Sequence, residues 1–418
     1  MTATATPGGI PPTLAEEIIA AHAGRDRVAP GELVTVKVDR VYLQDGNSPT
    51  IRQFFERYGF DRVFDPAGVG VFFDHSVLAP DKEISNNLKA AMQFSRRLGL
   101  TVFRAGAGIS HVVALDNGWF APGSIVVGTD SHTCTGGAVQ CLGLGMGASD
   151  ATAAMVTGES WLKVPETLWL ETVGTPSRFA GPKDVMLHLI ATHAQKTFLY
   201  RSIEWLGDWA EGLALDGAAT VANLAVELGA KCAFLPPAVG RPEGLRPIAP
   251  PPDGDPRRLT LDLDDLPPMI ARPHSPSNVV PLDEANRQKI DYVFVGSCTN
   301  SRLDDIALVA SVLEAAPVHR DVFCLVSPGS REVYLQAMAK GYIDTIVRAG
   351  GVVSPPGCSV CLGTQGAIPA SGHRVLTTMN RNFLGRMGNA EAEIFLASPL
   401  IAAHTAVRGE IPRLGDLA

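Results

Sequence analysis

The chain has 418 residues, 46% hydrophobic and 19% charged, with a net charge of −8. That length allows a large buried core in about two or three domains, and the composition is that of a soluble α/β protein. The acidic balance without a Lys/Arg-rich run argues against a nucleic-acid footprint, and MTATATPGGIPPT lacks the basic and apolar regions of a secretory signal.

Thr13 and Glu16 form a capping box for a first helix with Leu14, Ile18 and Ala21 on its apolar face, ended by Gly24. Val34, Val36 and Val38 alternate as in a strand running to about Gln44. A helix follows from about Thr50 to Tyr58, stopped by Gly59, and then an apolar strand, Val69 to Phe73. Gly136 to Gly158 is long and mildly apolar, but four internal glycines and Asp150 make it a Gly-rich loop entering a buried helix rather than a membrane span. Pro and Gly crowd 235–257, which reads as an exposed loop or linker, and another boundary falls near 163–171. Three lobes result: 1–165, 166–285 and 286–418.

A strand followed by a polar cluster recurs four times. Val69 to Phe73 leads into Asp74-His75, Ser124 to Val127 into GTDSHT, Asp291 to Val295 into GSCTNS, and Val375 to Thr378 into Asn380-Arg381-Asn382. Ligands of α/β folds sit beyond the carboxyl ends of strands, so four such clusters predict one composite site.

The chain has seven cysteines, an odd number with no signal before them, and the expectation is reduced thiols in a cytoplasmic protein. Cys358 and Cys361 form a C-x-x-C in a Pro/Gly-rich turn, and Cys298 ends a strand. Three thiolates would leave one metal position open, and an iron without a protein ligand acts as a Lewis acid. Zinc or inert thiols remain open on spacing alone. Cys134, Cys141, Cys232 and Cys324 read as packing residues.

Asp74-His75, His111, Asp130, His132 and Glu227 lie near expected loops or strand ends. A carboxylate bound to imidazole fixes its tautomer and stabilises the imidazolium, which suits a general acid. His22, His188, His193, His319 and His404 read as structural. Arg381 and Arg386 suit bidentate carboxylate binding.

Together the segments GTDSHTCTGGA, WLKVPET, NLAVELGA, VGSCTNSR, PGSREVYLQA, CLGTQGA and NRNFLGRMGN resemble the aconitase and isopropylmalate isomerase family, in order and over nearly the whole chain. The resemblance implies a three-lobed α/β iron–sulfur fold, its α/β/α lobes set around a central cleft. It implies a 4Fe–4S cluster on Cys298, Cys358 and Cys361, with one iron lacking a protein ligand. It makes His75 with Asp74 the acid, with His111–Asp130 and His132–Glu227 as supporting pairs. Asn223 and Asn380 fall beside the cluster, while Arg381, Arg386, Gln44 and Ser131 contact substrate.

The implied reaction is reversible dehydration of a 2-hydroxy di- or tricarboxylic acid, first among them 2-isopropylmalate to 3-isopropylmalate in leucine biosynthesis. Homoaconitase and dimethylmalate- or maleate-type hydratases are the alternatives; an RNA-binding regulator without the cluster is opposed by the acidic balance. The family's catalytic serine sits on a swivelling domain. After GRMGN only one helix and a tail remain, so a small partner subunit is expected to supply that serine. Three segments depart from the family's usual text: DGNSPT after Gln44, HAQKTFLYRSIEWLGDWAEG in the second lobe, and Ser359-Val360 between the paired cysteines.

Overall fold

The computed structural model describes residues 11–193 and 195–417. Most of the N-terminal stretch read as lacking a signal therefore lies outside the described residues. Among the described residues, no helix is long and apolar enough to cross a membrane.

The strands are short and apolar. Val69–Phe72, Ile125–Gly128 and Tyr292–Val295 are buried throughout, as expected of parallel strands covered on both faces. A five-stranded parallel sheet runs in the order Thr101–Phe103, Val69–Phe72, Arg40–Gln44, Ile125–Gly128, Leu142–Gly145. Cys232–Phe234, Ser202–Leu206, Thr167–Val173 and Arg258–Asp262 make a four-stranded parallel sheet. In the third sheet, Glu393–Leu396, Arg374–Thr377, Tyr292–Val295, Phe323–Val326 and Val352–Val353 are parallel. Antiparallel strands Met269–Ala271 and Val279–Pro281 extend that sheet at one edge.

One apolar cluster packs the first sheet against its helices through Val41, Leu43, Phe55 and Phe94. Another joins the second and third sheets, with Leu170, Trp205 and Val221 packed in one core with Phe294 and Met379.

Some expectations change. Val34 to Gln44 is two strands in different sheets. Leu33–Lys37 pairs antiparallel with Glu159–Lys163, while Arg40–Gln44 is central in the five-stranded sheet. Asp39 makes the break: its carboxylate accepts from Ile125 N at 2.7 Å and lies 2.8 Å from His22 Nε2. The first helix, Leu14–Ala23, has the expected capping box and a left-handed Gly24. Its buried stripe is Leu14, Ala15, Ile18, Ile19 and Ala20, and Ala21 is exposed.

The Gly-rich 136–158 region contains the helix Ala148–Thr157 and also a strand, Leu142–Gly145. Its glycines serve close packing. A Cβ on Gly137 would lie 1.8 Å from Ala233 O, and one on Gly143 would lie 2.0 Å from Thr133 O. Segment 235–257 has no regular structure, yet it is held to the body of the protein. The Gln140 amide bonds both N and O of Arg246 at 2.7 Å, and Trp169 Nε1 donates to Ala249 O.

Candidate active site

Parallel strands end together, so the residues that follow them face one space. Gln44, His75 and Asp130 come from three adjacent strands of the first sheet; Ser297, Cys298, Asn380 and Arg381 come from adjacent strands of the third. They line a single cavity with His111, His132, Cys358, Cys361 and Arg386. Ser297 takes a left-handed backbone (φ 76°) as the chain leaves its strand toward Cys298.

Three imidazoles contact carboxylates. His75 Nδ1 lies 2.7 Å from Asp74 Oδ1. His111 Nε2 is 3.3 Å from Asp130 Oδ1. His132 reaches Glu227 Oε1 at 3.0 Å through Nε2, and Asp130 Oδ1 at 3.3 Å through Nδ1. Asp130 therefore serves two rings. Burial favours the neutral form of each ring, but it is outweighed by Asp74 and Asp45 at His75, by Cys298, Asp130 and Glu227 at His132, and by Asp130 and Cys298 at His111. His75 stays protonated well above its ordinary range, His132 to about 10 and His111 to about 9. Burial opposes ionisation of Asp130 as well, yet hydrogen bonds from His111 and His132 hold its carboxyl well below the usual range.

Two further polar side chains of the cavity wall tie this set to residues behind it. Arg381 Nε donates to Glu227 at 2.8 Å and its Nη2 donates to Ser131 Oγ at 3.1 Å. Asn380 Nδ2 donates to Asn223 Oδ1, which also accepts from Thr299 Oγ1.

The thiols of Cys298, Cys358 and Cys361 come from two loops and are all buried. Burial raises a thiol, but at Cys298 the cationic His132 and His111 reverse this and bring it to about 6. Cys358 is pushed well above its ordinary value by burial and by Asp74, whose Oδ2 is 3.7 Å from its sulfur. Arg386 Nη2 lies 3.2 Å from Cys361 Sγ. The other four cysteines pack elsewhere; Cys324, for example, sits in the strand Phe323–Val326.

A family model described as the aconitase family (aconitate hydratase) matches residues 16–239 and 256–409. The chain belongs to the aconitase family. Among its family relatives, the 3-isopropylmalate dehydratase large subunit of Acetivibrio thermocellus is 38% identical over 410 residues, covering 96% of this chain and 98% of that one. Large subunit 1 of Thermotoga maritima is 39% identical over 411 residues, and that of Methanopyrus kandleri 39% over 409, each with the same coverage. The fold is similar to that of holo aconitase X from Thermococcus kodakaraensis, with a TM-score of 0.53 over 88% of each chain at 15% identity.

Family membership implies a 4Fe–4S cluster, and the donors fit one. Three buried thiols line the cavity, and among the described residues no fourth cysteine joins them. Asp74, His75 and Cys358 also lie close enough together to hold a single ion. Asp74, however, already accepts from Ser110 N at 2.7 Å and contacts His75, so this trio is a hydrogen-bonded support.

Every residue expected at the site is part of this assembly, in its wall or directly behind it. Sequence reasoning missed Asp45, Ser110, Thr364, Gln365 and Lys183. Thr364 Oγ1 and Gln365 Nε2 both donate to His75 O at 2.9 Å, and Cys358 N donates to Asp74 O, so the cysteine loop grips the His75 loop. Lys183 Nζ donates to Thr378 O and Met379 O just before Asn380. Gln365 stands in CLGTQGA and Asp45 at a strand end, the available signals. Lys183 carried none.

Proposed function

We propose that this chain is the large, iron–sulfur subunit of a hydro-lyase that dehydrates and rehydrates a 2-hydroxy dicarboxylic acid. The foremost substrate is 2-isopropylmalate, interconverted with 3-isopropylmalate in leucine biosynthesis. The observation that carries this reading is three buried thiols sharing one cavity with three imidazole–carboxylate pairs. The relatives' names, over 96% of the chain, support the substrate and a small-subunit partner.

In this reading Cys298, Cys358 and Cys361 hold the cluster. When bound, it supplies Lewis-acid polarisation of a substrate oxygen at an iron with no cysteine of its own. His75 is the general acid: Nδ1 is engaged by Asp74, leaving Nε2 to deliver the proton to the departing hydroxyl. His111–Asp130 and His132–Glu227 form a charged wall that orients that hydroxyl and the water it becomes. Arg386 and Arg381 bind substrate carboxylates, Gln44 and Ser131 add polar contacts, and Asn223 and Asn380 surround the cluster. The proton on the adjacent carbon goes to a serine of the small subunit, carried on a mobile domain that closes the cavity.

We place the enzyme in the cytoplasm. We divide the chain into three lobes near 165 and near 265, moving the second division from 285 because Met269–Ala271 and Val279–Pro281 belong to the third sheet. The test is anaerobic reconstitution with a small subunit, followed by alkene absorbance on adding 2-isopropylmalate, homocitrate, dimethylmalate or maleate in turn. Turnover of 2-isopropylmalate at least tenfold above the others is expected. No turnover of any of them by the reconstituted complex would overturn the reading.

A further inference from the structure

The segment after Gln44 reads DGNSPT, and its first residue has an unusual set of partners. Asp45 is 4% exposed. It opens a short 3-10 turn that leads into the helix Ser48–Tyr58. An aspartate there ordinarily caps the helix it precedes, but apart from Gly46 N the carboxylate turns away. Oδ1 accepts from His75 N at 3.1 Å and Oδ2 from Ser76 N at 3.0 Å, across thirty residues of sequence. The same Oδ1 lies 3.6 Å from His75 Nδ1.

We infer that Asp45 is a positioning residue for His75, fixing the backbone of the acid and forming a second carboxylate beside its imidazole. The inference rests on the reading of His75 as the general acid. Residue 75 is then held at three points: its N–H by Asp45, its carbonyl by Thr364 and Gln365, and its ring by Asp74. Removing any one leaves the loop a rotation about the other two. Of the three holds, only Asp45 touches both main chain and ring, so it links where the loop sits to where Nε2 points. A displacement of about 1 Å at a reacting group costs on the order of a hundredfold in rate. Asp45 itself transfers no proton and does not line the cavity.

The experiment uses the reconstituted two-subunit holoenzyme with 2-isopropylmalate. In Asp45→Ala, kcat should fall tenfold or more while KM stays within twofold and iron content and melting temperature match the parent. Asp45→Asn, which keeps the shape and one acceptor oxygen, should recover part of the loss. By hydrogen-exchange mass spectrometry of the large subunit alone, amides of 74–78 should exchange faster in Asp45→Ala, with the rest of the chain unchanged. In a His75→Asn background, adding Asp45→Ala should cost no more than about another twofold, because coupled residues are non-additive. Unchanged kcat in Asp45→Ala, a loss that tracks iron content, or full additivity with His75→Asn would overturn the inference. Near-normal turnover of His75→Asn alone would instead overturn the general-acid reading.

Discussion

Asp130 shows how the site is held charged. One carboxylate faces two imidazoles, and both rings sit beside the sulfur of Cys298, which they draw toward the thiolate. A thiolate is the metal-binding form, so the acid–base residues and the cysteines are electrostatically interdependent. Replacing Cys298, Cys358 or Cys361 with serine should each abolish a brown cluster with near-equal iron and sulfide. Cys324→Ser, in a buried strand of the third sheet, should retain it; measured iron and acid-labile sulfide after anaerobic reconstitution decide the point. His75→Asn should keep the cluster and lower kcat by about a hundredfold or more, the scale of losing a general acid. Asp74→Asn should lower it less, because the amide keeps one acceptor oxygen and so loses the charge and only one of the two contacts, to the His75 ring or from Ser110 N. Steady-state rates normalised to iron content are the measurement.

Among the elements, the helix Leu14–Ala23 depends on a residue far along the chain. Its first N–H, at Leu14, donates at 2.6 Å to Glu204 in the strand Ser202–Leu206. Burial raises the Glu204 carboxyl to about 7, more than the N–H groups of Leu14 and Ala15 lower it. The folded chain therefore holds a proton there that the unfolded chain releases above about 4.5. Between those two values the folded state binds more protons, so its stability falls as pH rises. Glu204→Gln can still accept from Leu14 but does not titrate. Relative to the parent it should gain stability between pH 5 and pH 8, by up to about 3 kcal/mol at 1.36 kcal/mol per pH unit. Thermal melting of both proteins at the two pH values measures the difference; an equal change in both would exclude Glu204 as its source.

Across the whole molecule, the cavity gathers strand ends from the first and third sheets, and Glu227 joins it from the turn Ala225–Leu228, just after the helix Leu215–Leu224. The side chains assembled there suit binding a carboxylate and protonating a leaving hydroxyl. With the base assigned to a small subunit, the isolated chain with an intact cluster should show negligible dehydration. Adding the cognate subunit should restore turnover, read as alkene absorbance. Full activity from the purified chain, with no small subunit detectable by mass spectrometry, would remove the partner from the mechanism.

Local patterns carried much of this protein. The capping box at Thr13, the glycine at position 24 and the apolar strand cores each follow from chemistry within a few residues. The polar clusters after four strands were legible for the same reason, since a buried apolar run that stops at Asp, His, Cys or Asn marks a sheet edge facing a ligand. Spacing alone left Cys298, Cys358 and Cys361 open to zinc or inert packing, and it was the resemblance of the motif text that pointed to a cluster on them. Tertiary structure alone decided the rest. Asp39 split one expected strand into two by bonding Ile125 across the sheet. Asp45, Gln365 and Lys183 reached the site through partners 30, 290 and 195 residues away in sequence. A hydrogen bond depends on distance in space, and nothing local in an isolated Asp, Gln or Lys says which backbone groups the fold will bring to it.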